Sequence, residues 1–211
     1  MFRDRKEAGR LLAEALSFLK AKKEDVLVLA IPRGGVVVAK EVADALGAPL
    51  DIVITRKVGA PGNPELAIGA VTQEGEVITD PELVGMLGVS DDYVNEQAAR
   101  QVDEIGRRMR EYRGDRPYPS LAGKTVVVVD DGIATGSTTR AAIQSVKKRK
   151  AAVVILAVPV GPPDTVAKLS KIADRVVCLS TPEPFYAIGE FYNEFEQVGD
   201  DTVREILRAA R

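Results

Sequence analysis

The chain has 211 residues, of which 45% are hydrophobic and 28% are charged, with a formal net charge of −2 and a sequence pI of about 5.5. This composition is ordinary for a globular protein and provides no long-range attraction for nucleic acid or for an anionic membrane. Histidine is absent and Cys178 is the only cysteine, which excludes histidine-based nucleophilic catalysis, an intrachain disulfide and most zinc sites.

The apolar runs and the N-terminal segment indicate where in the cell the protein is expected. The longest apolar runs, such as Val26–Ile31 and Val153–Val160, are far shorter than the ~20 residues that span a bilayer. The opening segment MFRDRKEAGR is too charged to be the apolar part of a secretory signal. We therefore predict a cytoplasmic protein that has neither a membrane nor a nucleic acid as a partner.

The first half of the chain alternates helical and strand patterns. In order, it predicts an amphipathic helix over 4–22, a buried strand at Val26–Ile31, a helix from Gly34 to Gly47, a strand at Leu50–Thr55, irregular structure over 59–65, and a hairpin of Ile68–Thr72 with Glu76–Thr79. The irregular segment, GAPGNPE, is predicted from its density of glycine and proline. Continuous apolar strands between helices indicate a parallel sheet that is buried on both faces.

The second half repeats this alternation after a long helix. It predicts a helix over 91–113 behind a Ser90 cap, a linker at Tyr118–Gly123, a strand at Thr125–Val129, a helix at Ser137–Arg149, a strand at Ala152–Pro159, a short helix at Pro163–Lys171, a strand at Arg175–Leu179 and a closing helix at Asp201–Ala210. Strands that alternate with helices define an α/β fold with a mainly parallel central sheet.

Residues 126–138, VVVVDDGIATGST, form the segment with the most informative chemistry. Four valines end a buried strand, two carboxylates follow at once, and a small, hydroxyl-rich turn then opens a helix. The free N–H groups and the dipole of such a helix start suit a phosphate. The adjacent carboxylates, Asp130 and Asp131, suit vicinal ribose hydroxyls or Mg²⁺.

This string is neither a P-loop nor a GxGxxG motif, since no Gly-Lys-Ser/Thr occurs in the chain. It resembles the signature of type I phosphoribosyltransferases, which bind 5-phosphoribosyl-1-pyrophosphate (PRPP). The resemblance implies that Asp130 and Asp131 hold the ribose hydroxyls and, indirectly or through those hydroxyls, the metal. It also implies a 5′-phosphate cradle formed by Ala134, Thr135, Gly136, Ser137 and Thr138. The hypoxanthine–guanine enzymes carry an aspartate where Ala134 stands, so a general base at that position is not available here.

Two further strand ends are similar to the pyrophosphate contacts of that family. The resemblance assigns pyrophosphate binding to Arg33, Gly34, Gly35, Arg56 and Lys57. The Pro32–Arg33 bond corresponds to a peptide that is cis in some relatives. Together with the two aspartates, Arg33 and Lys57 are the residues to which the resemblance assigns catalysis. Gly59–Ile68 is similar to the mobile lid that shields the reacting sugar from water.

The aromatic segment 181–195 is similar to the base-binding hood of the purine enzymes. Phe185, Tyr186 and Ile188 would bind the base, and a ring of Phe185 or Tyr186 would stack on it. Asn193 falls where those enzymes often carry a metal-contacting aspartate. An aromatic cluster in a hydrophobic core is the alternative interpretation of the same residues.

The resemblance covers most of the chain and predicts a single phosphoribosyltransferase domain over residues 1–211, with a central mainly parallel sheet, flanking helices and a small hood and lid. Residues 80–118 are predicted to be a helical insertion. The implied activity is Mg²⁺-dependent transfer of the phosphoribosyl group from PRPP to a nitrogenous base, as in nucleotide salvage, in a homodimer or higher homo-oligomer. Two alternatives remain open, namely a PRPP- or nucleotide-sensing regulator without turnover and a PRPP-making pyrophosphokinase, although the latter normally needs two such domains in tandem.

Overall fold

The computed structural model describes residues 1–210, apart from the side chains of residues 21–24 and 65. The elements in chain order are α1 (Arg5–Ala15), a 3₁₀ segment (Ser17–Asp25), β1 (Val26–Ala30), α2 (Gly34–Leu46), β2 (Leu50–Ile52), β3 (Arg56–Ala60), β4 (Asn63–Val71), β5 (Val77–Thr79), α3 (Pro81–Leu87), α4 (Asp91–Arg113), β6 (Thr125–Val129), α5 (Ser137–Lys148), β7 (Val153–Val160), α6 (Pro163–Leu169), β8 (Arg175–Ser180), a second 3₁₀ segment (Ile188–Phe191) and α7 (Asp200–Ala209).

Five strands form a parallel sheet in the order β2-β1-β6-β7-β8. The valine-rich strands β1 and β6 are buried nearly throughout, because helices cover both faces of the sheet. Side chains alternate between the two faces. Val127 and Val129 of β6 join the core beneath α1, α2 and α7, whereas Val126 and Val128 join the core beneath α5 and α6. The predicted α/β fold with a mainly parallel sheet is confirmed.

A second, antiparallel sheet consists of β3, β4 and β5. The predicted hairpin of residues 68–72 and 76–79 is confirmed, since Val71 pairs with Val77 across its turn. The prediction of irregular structure over 59–65 was wrong, because most of that segment belongs to β3 and β4. The register shifts at Gly59, where an added Cβ would lie 2.6 Å from the carbonyl oxygen of Pro64. Glycine and proline therefore mark a bulge and a turn within a hairpin.

Several element bounds also differ from the prediction. The first helix ends at Ala15 and continues as a 3₁₀ segment, and β2 ends at Ile52, so Arg56 and Lys57 open β3 instead of closing β2. Residues 80–118 contain two helices, α3 and α4. Asp80 caps α3 through a hydrogen bond from the Leu83 amide at 3.2 Å, which explains why a short separate helix forms there.

The long helix α4 packs on β3, β4 and α7. Its narrow apolar stripe places Val94, Ala98 and Ile105 in the core. The last residue of the helix, Arg113, forms a bidentate ion pair with Asp51 of β2 at 2.7 and 2.9 Å, and both side chains are buried. The helix thereby joins the antiparallel sheet to the edge of the parallel sheet. Within residues 1–210, no helix is both long and apolar enough to cross a membrane.

Candidate functional site

Two loops meet at the carboxyl edge of the parallel sheet. Strands β1 and β6 are neighbours that end in register, with Ala30 opposite Val129. The loop that leads into α2 and the loop that leads into α5 therefore begin side by side. This edge is where open α/β sheets bind their ligands.

Two glycines allow these loops to touch. A Cβ on Gly34 would lie 1.8 Å from Oδ2 of Asp131, and a Cβ on Gly35 would lie 2.9 Å from the Cα of Asp130. Neither distance can accommodate a side chain. The predicted pyrophosphate loop and the predicted ribose carboxylates thus form one surface. The Pro32–Arg33 peptide within this loop is cis.

Asp131 is held by two neighbours from distant parts of the chain, Arg5 and Tyr192. Its Oδ2 accepts a hydrogen bond from Nε of Arg5 at 2.7 Å, and both side chains are almost fully buried. The Arg5 guanidinium also donates to the carbonyl of Glu196 at 2.7 Å and lies 3.8 Å above the ring of Phe195. The Tyr192 hydroxyl donates to the carbonyl of Asp131 at 2.6 Å. The position of Asp131 is therefore fixed before any ligand arrives.

Asp130 has a different environment from its neighbour. Burial, followed by the adjacent charge of Asp131, holds the pKa of Asp130 well above its ordinary value. Its Oδ1 accepts a hydrogen bond from the Asp131 amide at 2.9 Å. The pair consequently offers a paired carboxylate at Asp131 and a carboxyl group at Asp130 that retains its proton more readily. Such a pair can both accept and donate hydrogen bonds to vicinal hydroxyls.

The turn from Ala134 to Thr138 opens α5. Gly136 adopts a φ of 78°, which favours glycine, and directs the chain into the helix. The loop is attached on two sides, because Thr165 of α6 donates to the Ala134 carbonyl at 3.0 Å and Thr55 donates to the Thr138 carbonyl at 2.9 Å. The first amides of a helix have no partner within it. This turn therefore presents free N–H groups and hydroxyls to an anion.

The basic residues predicted for pyrophosphate have partners of their own. Arg33 lies 3.7 Å from Oδ1 of Asp200, at the start of α7, and Asp200 also accepts a hydrogen bond from the Tyr112 hydroxyl. Arg56 donates from Nε to Gln101 of α4 at 3.1 Å. Its pKa is lowered, first by burial and then by the nearby charge of Arg108. Lys57 lies on β3, opposite Ala70 of β4.

The aromatic segment lies next to the loop between β6 and α5. A Cβ on Gly132 would come within 2.5 Å of Cγ2 of Ile188, so the second 3₁₀ segment packs directly against the loop. Phe185 stacks on Phe191 with ring centroids 5.0 Å apart. The Tyr186 side chain is 79% exposed. Phe185 and Ile188 therefore pack in a small core, whereas Tyr186 presents its ring to solvent, and binding of a base by these residues stays a prediction.

Magnesium was expected at the two aspartates. Among residues 1–210, no three acidic, histidine or cysteine side chains are placed to hold a metal together. One oxygen of Asp131 is already paired with Arg5. These donors do not form a protein cage for a resident ion. They fit an ion that arrives on a substrate, because Mg²⁺ commonly binds through substrate phosphates and few protein groups.

Arg5, Tyr192 and Asp200 are the residues of this site that sequence reasoning missed. Arg5 precedes its partner Asp131 by 126 positions, and no local pattern connects them. The absence of histidine leaves Lys and Arg as the cations that can neutralise a buried carboxylate. The absence of histidine therefore indicates that a Lys or Arg neutralises Asp131, but it does not indicate that the residue is Arg5.

The parallel sheet, with a helix-opening loop and adjacent carboxylates at its carboxyl edge, has the architecture of the type I phosphoribosyltransferases. The chain belongs to the phosphoribosyl transferase domain family, which matches residues 3–194. The resemblance noted in the sequence is therefore confirmed at the level of the family and the fold.

Sequence similarity to relatives extends over the whole chain. A Mycobacterium tuberculosis protein named "Putative phosphoribosyl transferase" is 44% identical over 210 residues, which are 100% of this chain and 47% of that protein. The chain thus spans about half the length of the curated relatives it matches. The crystal structure of TT1426 from Thermus thermophilus has 47% identity and a TM-score of 0.82, covering 98% of this chain and 97% of that one. A purine phosphoribosyltransferase from Pyrococcus horikoshii shares the fold, with 22% identity, a TM-score of 0.50 and 92% coverage of each chain.

Proposed function

We propose that this domain binds PRPP and transfers its phosphoribosyl group to a nitrogenous base, with release of pyrophosphate. In this proposal Asp130 and Asp131 bind the ribose hydroxyls, and the turn from Ala134 to Thr138 binds the 5′-phosphate. The pyrophosphate lies on Arg33, Gly34 and Gly35, with Lys57 as a further cation.

The contact of the Gly34–Gly35 loop with the two aspartates is the observation that carries this proposal. PRPP bears its pyrophosphate on the carbon next to the ribose hydroxyls, so the two binding groups must lie within one sugar ring of each other. A Cβ on Gly34 would already overlap Asp131, which supports that proximity. The proposed phosphate turn begins at Ala134, three residues after Asp131 on the same loop.

The chemistry requires positioning and neutralisation more than a strong base. Pyrophosphate departs from C1 as positive charge develops on the ring oxygen and C1, and a ring nitrogen of the base attacks the opposite face. Arg33 neutralises the leaving group, and Asp131, fixed by Arg5, orients the sugar. Ala134 supplies no general base, so the acceptor must lose its proton through its own acidity. Mg²⁺, where it takes part, would be carried on the pyrophosphate of the substrate and neutralise it.

The acceptor site is proposed at the hood. Tyr186 is exposed and can stack on an aromatic base, while Ile188, against Gly132, closes the edge next to the sugar. We further propose one domain, with residues 80–118 as an insertion that covers the site from the α4 side. A homo-oligomer and a cytoplasmic location belong to the same proposal.

A PRPP-sensing regulator is the second candidate, and the contact of Arg33 with Asp200 favours it. If this contact persists when PRPP is bound, Arg33 would not neutralise the leaving group, and the sugar would be held without release of pyrophosphate.

Pyrophosphate release separates these functions. The chain is incubated with Mg²⁺ and PRPP, alone and with each of a panel of purine and pyrimidine bases, and pyrophosphate is measured. If the chain transfers the phosphoribosyl group, pyrophosphate should be released only when one class of base is present. Binding of PRPP in calorimetry without release for any base would support the sensor, and failure to bind PRPP would refute both.

Replacing Arg33 tests the assignment of the pyrophosphate loop. Arg33→Ala should weaken PRPP binding by about tenfold, the effect of losing one charge-assisted contact, and should weaken binding of a nucleoside monophosphate much less. Arg100→Ala removes an exposed arginine of α4 and is the matched control. Equal losses for both ligands would remove Arg33 from the pyrophosphate site.

A further inference from the structure

A groove lies between α5, α6 and the antiparallel sheet. It encloses about 340 Å³, and its lining includes Asp80, Ser137, Arg140, Gln144, Lys168 and Lys171. We call it the α5–α6 groove. A volume of this size is within the range of small-molecule sites.

The groove begins at the phosphate turn and runs away from it. Thr135, Gly136 and Ser137 form one end, and Arg140 and Gln144 follow at helical spacing along one face of α5. Gln144 is seven residues beyond Ser137, which is roughly 10 Å along a helix. The far end thus lies beyond the reach of a phosphate held at the turn. Asp130, Asp131 and Arg33 are not among the lining residues.

The groove carries a net positive charge, because its lining includes three cations and the single carboxylate of Asp80. Arg140, Lys168 and Lys171 have no carboxylate partner among the side chains that the structure describes. Nearby cations do have one, since Lys147 pairs with Asp174 at 3.2 Å and Lys148 with Glu76 at 2.7 Å. The acidic lining residue, Asp80, uses its carboxylate to cap α3. Three cations around one small cavity favour an anion.

Gln144 indicates that the ligand also carries a hydrogen-bond donor. Its side-chain oxygen is buried and accepts no hydrogen bond in the part of the chain that the structure describes. A buried polar atom without a partner costs about 1–3 kcal/mol. An occupant of the groove would remove this cost if it carried an N–H donor. An inorganic anion alone would leave the Gln144 oxygen unsatisfied.

We propose that the α5–α6 groove binds a nucleotide, with its phosphates at Arg140, Lys168 and Lys171 and an N–H group of its base at the Gln144 oxygen. This site adjoins the proposed sugar site at the turn, where Thr135, Gly136 and Ser137 form one end of the groove, and extends away from it. Its ligand would touch both the phosphate turn and the β4–β5 hairpin, through Gly69, Ala70 and Ile78. Binding of the nucleotide would therefore affect the proposed PRPP site. Only this coupling rests on the proposed function.

Calorimetric titration with ADP tests the site without relying on turnover. ADP should bind the wild-type chain, and Lys168→Gln/Lys171→Gln should weaken it by about tenfold or more. Lys40→Gln/Arg100→Gln removes two charges from α2 and α4 and should leave ADP affinity unchanged. If the Lys168/Lys171 variant binds ADP as tightly as the wild type, ADP occupies another site and the proposal is overturned.

The donor requirement has its own test. Gln144→Leu should weaken ADP binding and leave the binding of inorganic tripolyphosphate unchanged, because only ADP offers an N–H group. Equal effects on both probes would overturn the role of Gln144. Absence of ADP binding at millimolar concentration would overturn the site itself, leaving a hydrated groove. Because these outcomes do not depend on PRPP, failure of the proposed transfer reaction would be seen separately in the pyrophosphate assay.

Discussion

Adjacent carboxyl groups of like charge repel each other, yet Asp130 and Asp131 occupy consecutive positions at a buried strand end. The structure separates their roles by environment. Asp131 is paired with Arg5, whereas burial and the charge of Asp131 raise the pKa of Asp130. A pair of this kind is costly to the fold and useful for binding hydroxyls, which is a frequent compromise at functional sites.

This cost predicts a pH-dependent stability effect at Asp130. A carboxyl group whose pKa is raised in the folded state favours folding at low pH and loses that contribution as the pH rises through the raised value. Asp130→Asn removes the titration. The variant should therefore melt at a higher temperature than the wild type at pH 8, with a difference that shrinks towards pH 4, near the ordinary aspartate pKa of 3.8. Thermal melts of both proteins from pH 4 to pH 9 measure this.

Asp131→Asn is the matched control at the next position. It removes the charge that pairs with buried Arg5, and breaking a buried pair costs about 3–5 kcal/mol. This variant should melt below the wild type at pH 8. If both variants change stability in the same direction at that pH, the two carboxyl groups do not differ as described.

Sequence reasoning reached the residues of this site unevenly. The string from Val126 to Thr138 predicts its own strand, turn and helix because each part is local. The Arg5–Asp131 pair was not predictable in the same way, because it depends on where α1 docks after the sheet has formed. Tertiary packing selects one cation from the 29 Lys and Arg residues of the chain.

At the scale of elements, the site depends on how closely the start of α2 approaches the end of β6. Gly34 has an ordinary backbone conformation, so glycine is needed there for space and not for φ. An added Cβ would lie 1.8 Å from Oδ2 of Asp131 and 2.9 Å from Nε of Arg5. The α2 start, the Arg5–Asp131 ion pair and the carboxyl group of Asp130 are therefore one packed unit.

Gly34→Ala should disrupt that unit. The expected result is a loss of about 1–3 kcal/mol of unfolding free energy from overpacking, together with weaker binding of ribose 5-phosphate. Chemical denaturation and calorimetry measure the two effects. Gly85→Ala is the control, because an added Cβ in the middle of α3 meets nothing within 4 Å and should be neutral or stabilise by up to about 1 kcal/mol. Wild-type affinity in Gly34→Ala would contradict the proposed closeness of the two loops.

Residues 59–65 show where the prediction of secondary structure failed. Glycine and proline in GAPGNPE favoured irregular structure, but the segment forms the β3–β4 hairpin. Pro61 and Gly62 lie at the turn, and Gly59 forms a bulge against Pro64. Both residue types are compatible with strands at such positions. Local composition does not reveal that a neighbouring strand, β5, and the helix α4 will support the hairpin.

At the scale of the whole molecule, the parallel sheet was predictable and the position of residues 80–118 was not. Runs of valine and isoleucine between helices permit few architectures, so β1, β6 and β7 followed from the pattern. The position of α4 depends on contacts between distant residues. Tyr112 reaches Asp200 of α7, and Arg113 reaches Asp51 of β2. Polar contacts of this kind leave no periodic signal.

The Asp51–Arg113 pair predicts how strongly α4 is attached to the rest of the molecule. Arg113 also donates to the carbonyls of Arg116 and Pro117 and lies 4.8 Å from the centre of the Tyr118 ring. Arg113→Met leaves the buried carboxylate of Asp51 without its partner. The expected loss is about 3–5 kcal/mol of unfolding free energy, measured by chemical denaturation.

Two comparisons make that prediction specific to a buried charge. Arg100→Met breaks an α4 ion pair whose two side chains are 63% exposed and should cost no more than about 1 kcal/mol. Asp51→Leu/Arg113→Met removes both charges, and most of the lost stability should return, because an apolar pair of similar size avoids the unpaired carboxylate. If the double variant is as unstable as Arg113→Met alone, the loss comes from the packing of Arg113 on Tyr118 and its carbonyl contacts. The attachment of α4 would then depend on shape and hydrogen bonding instead of charge.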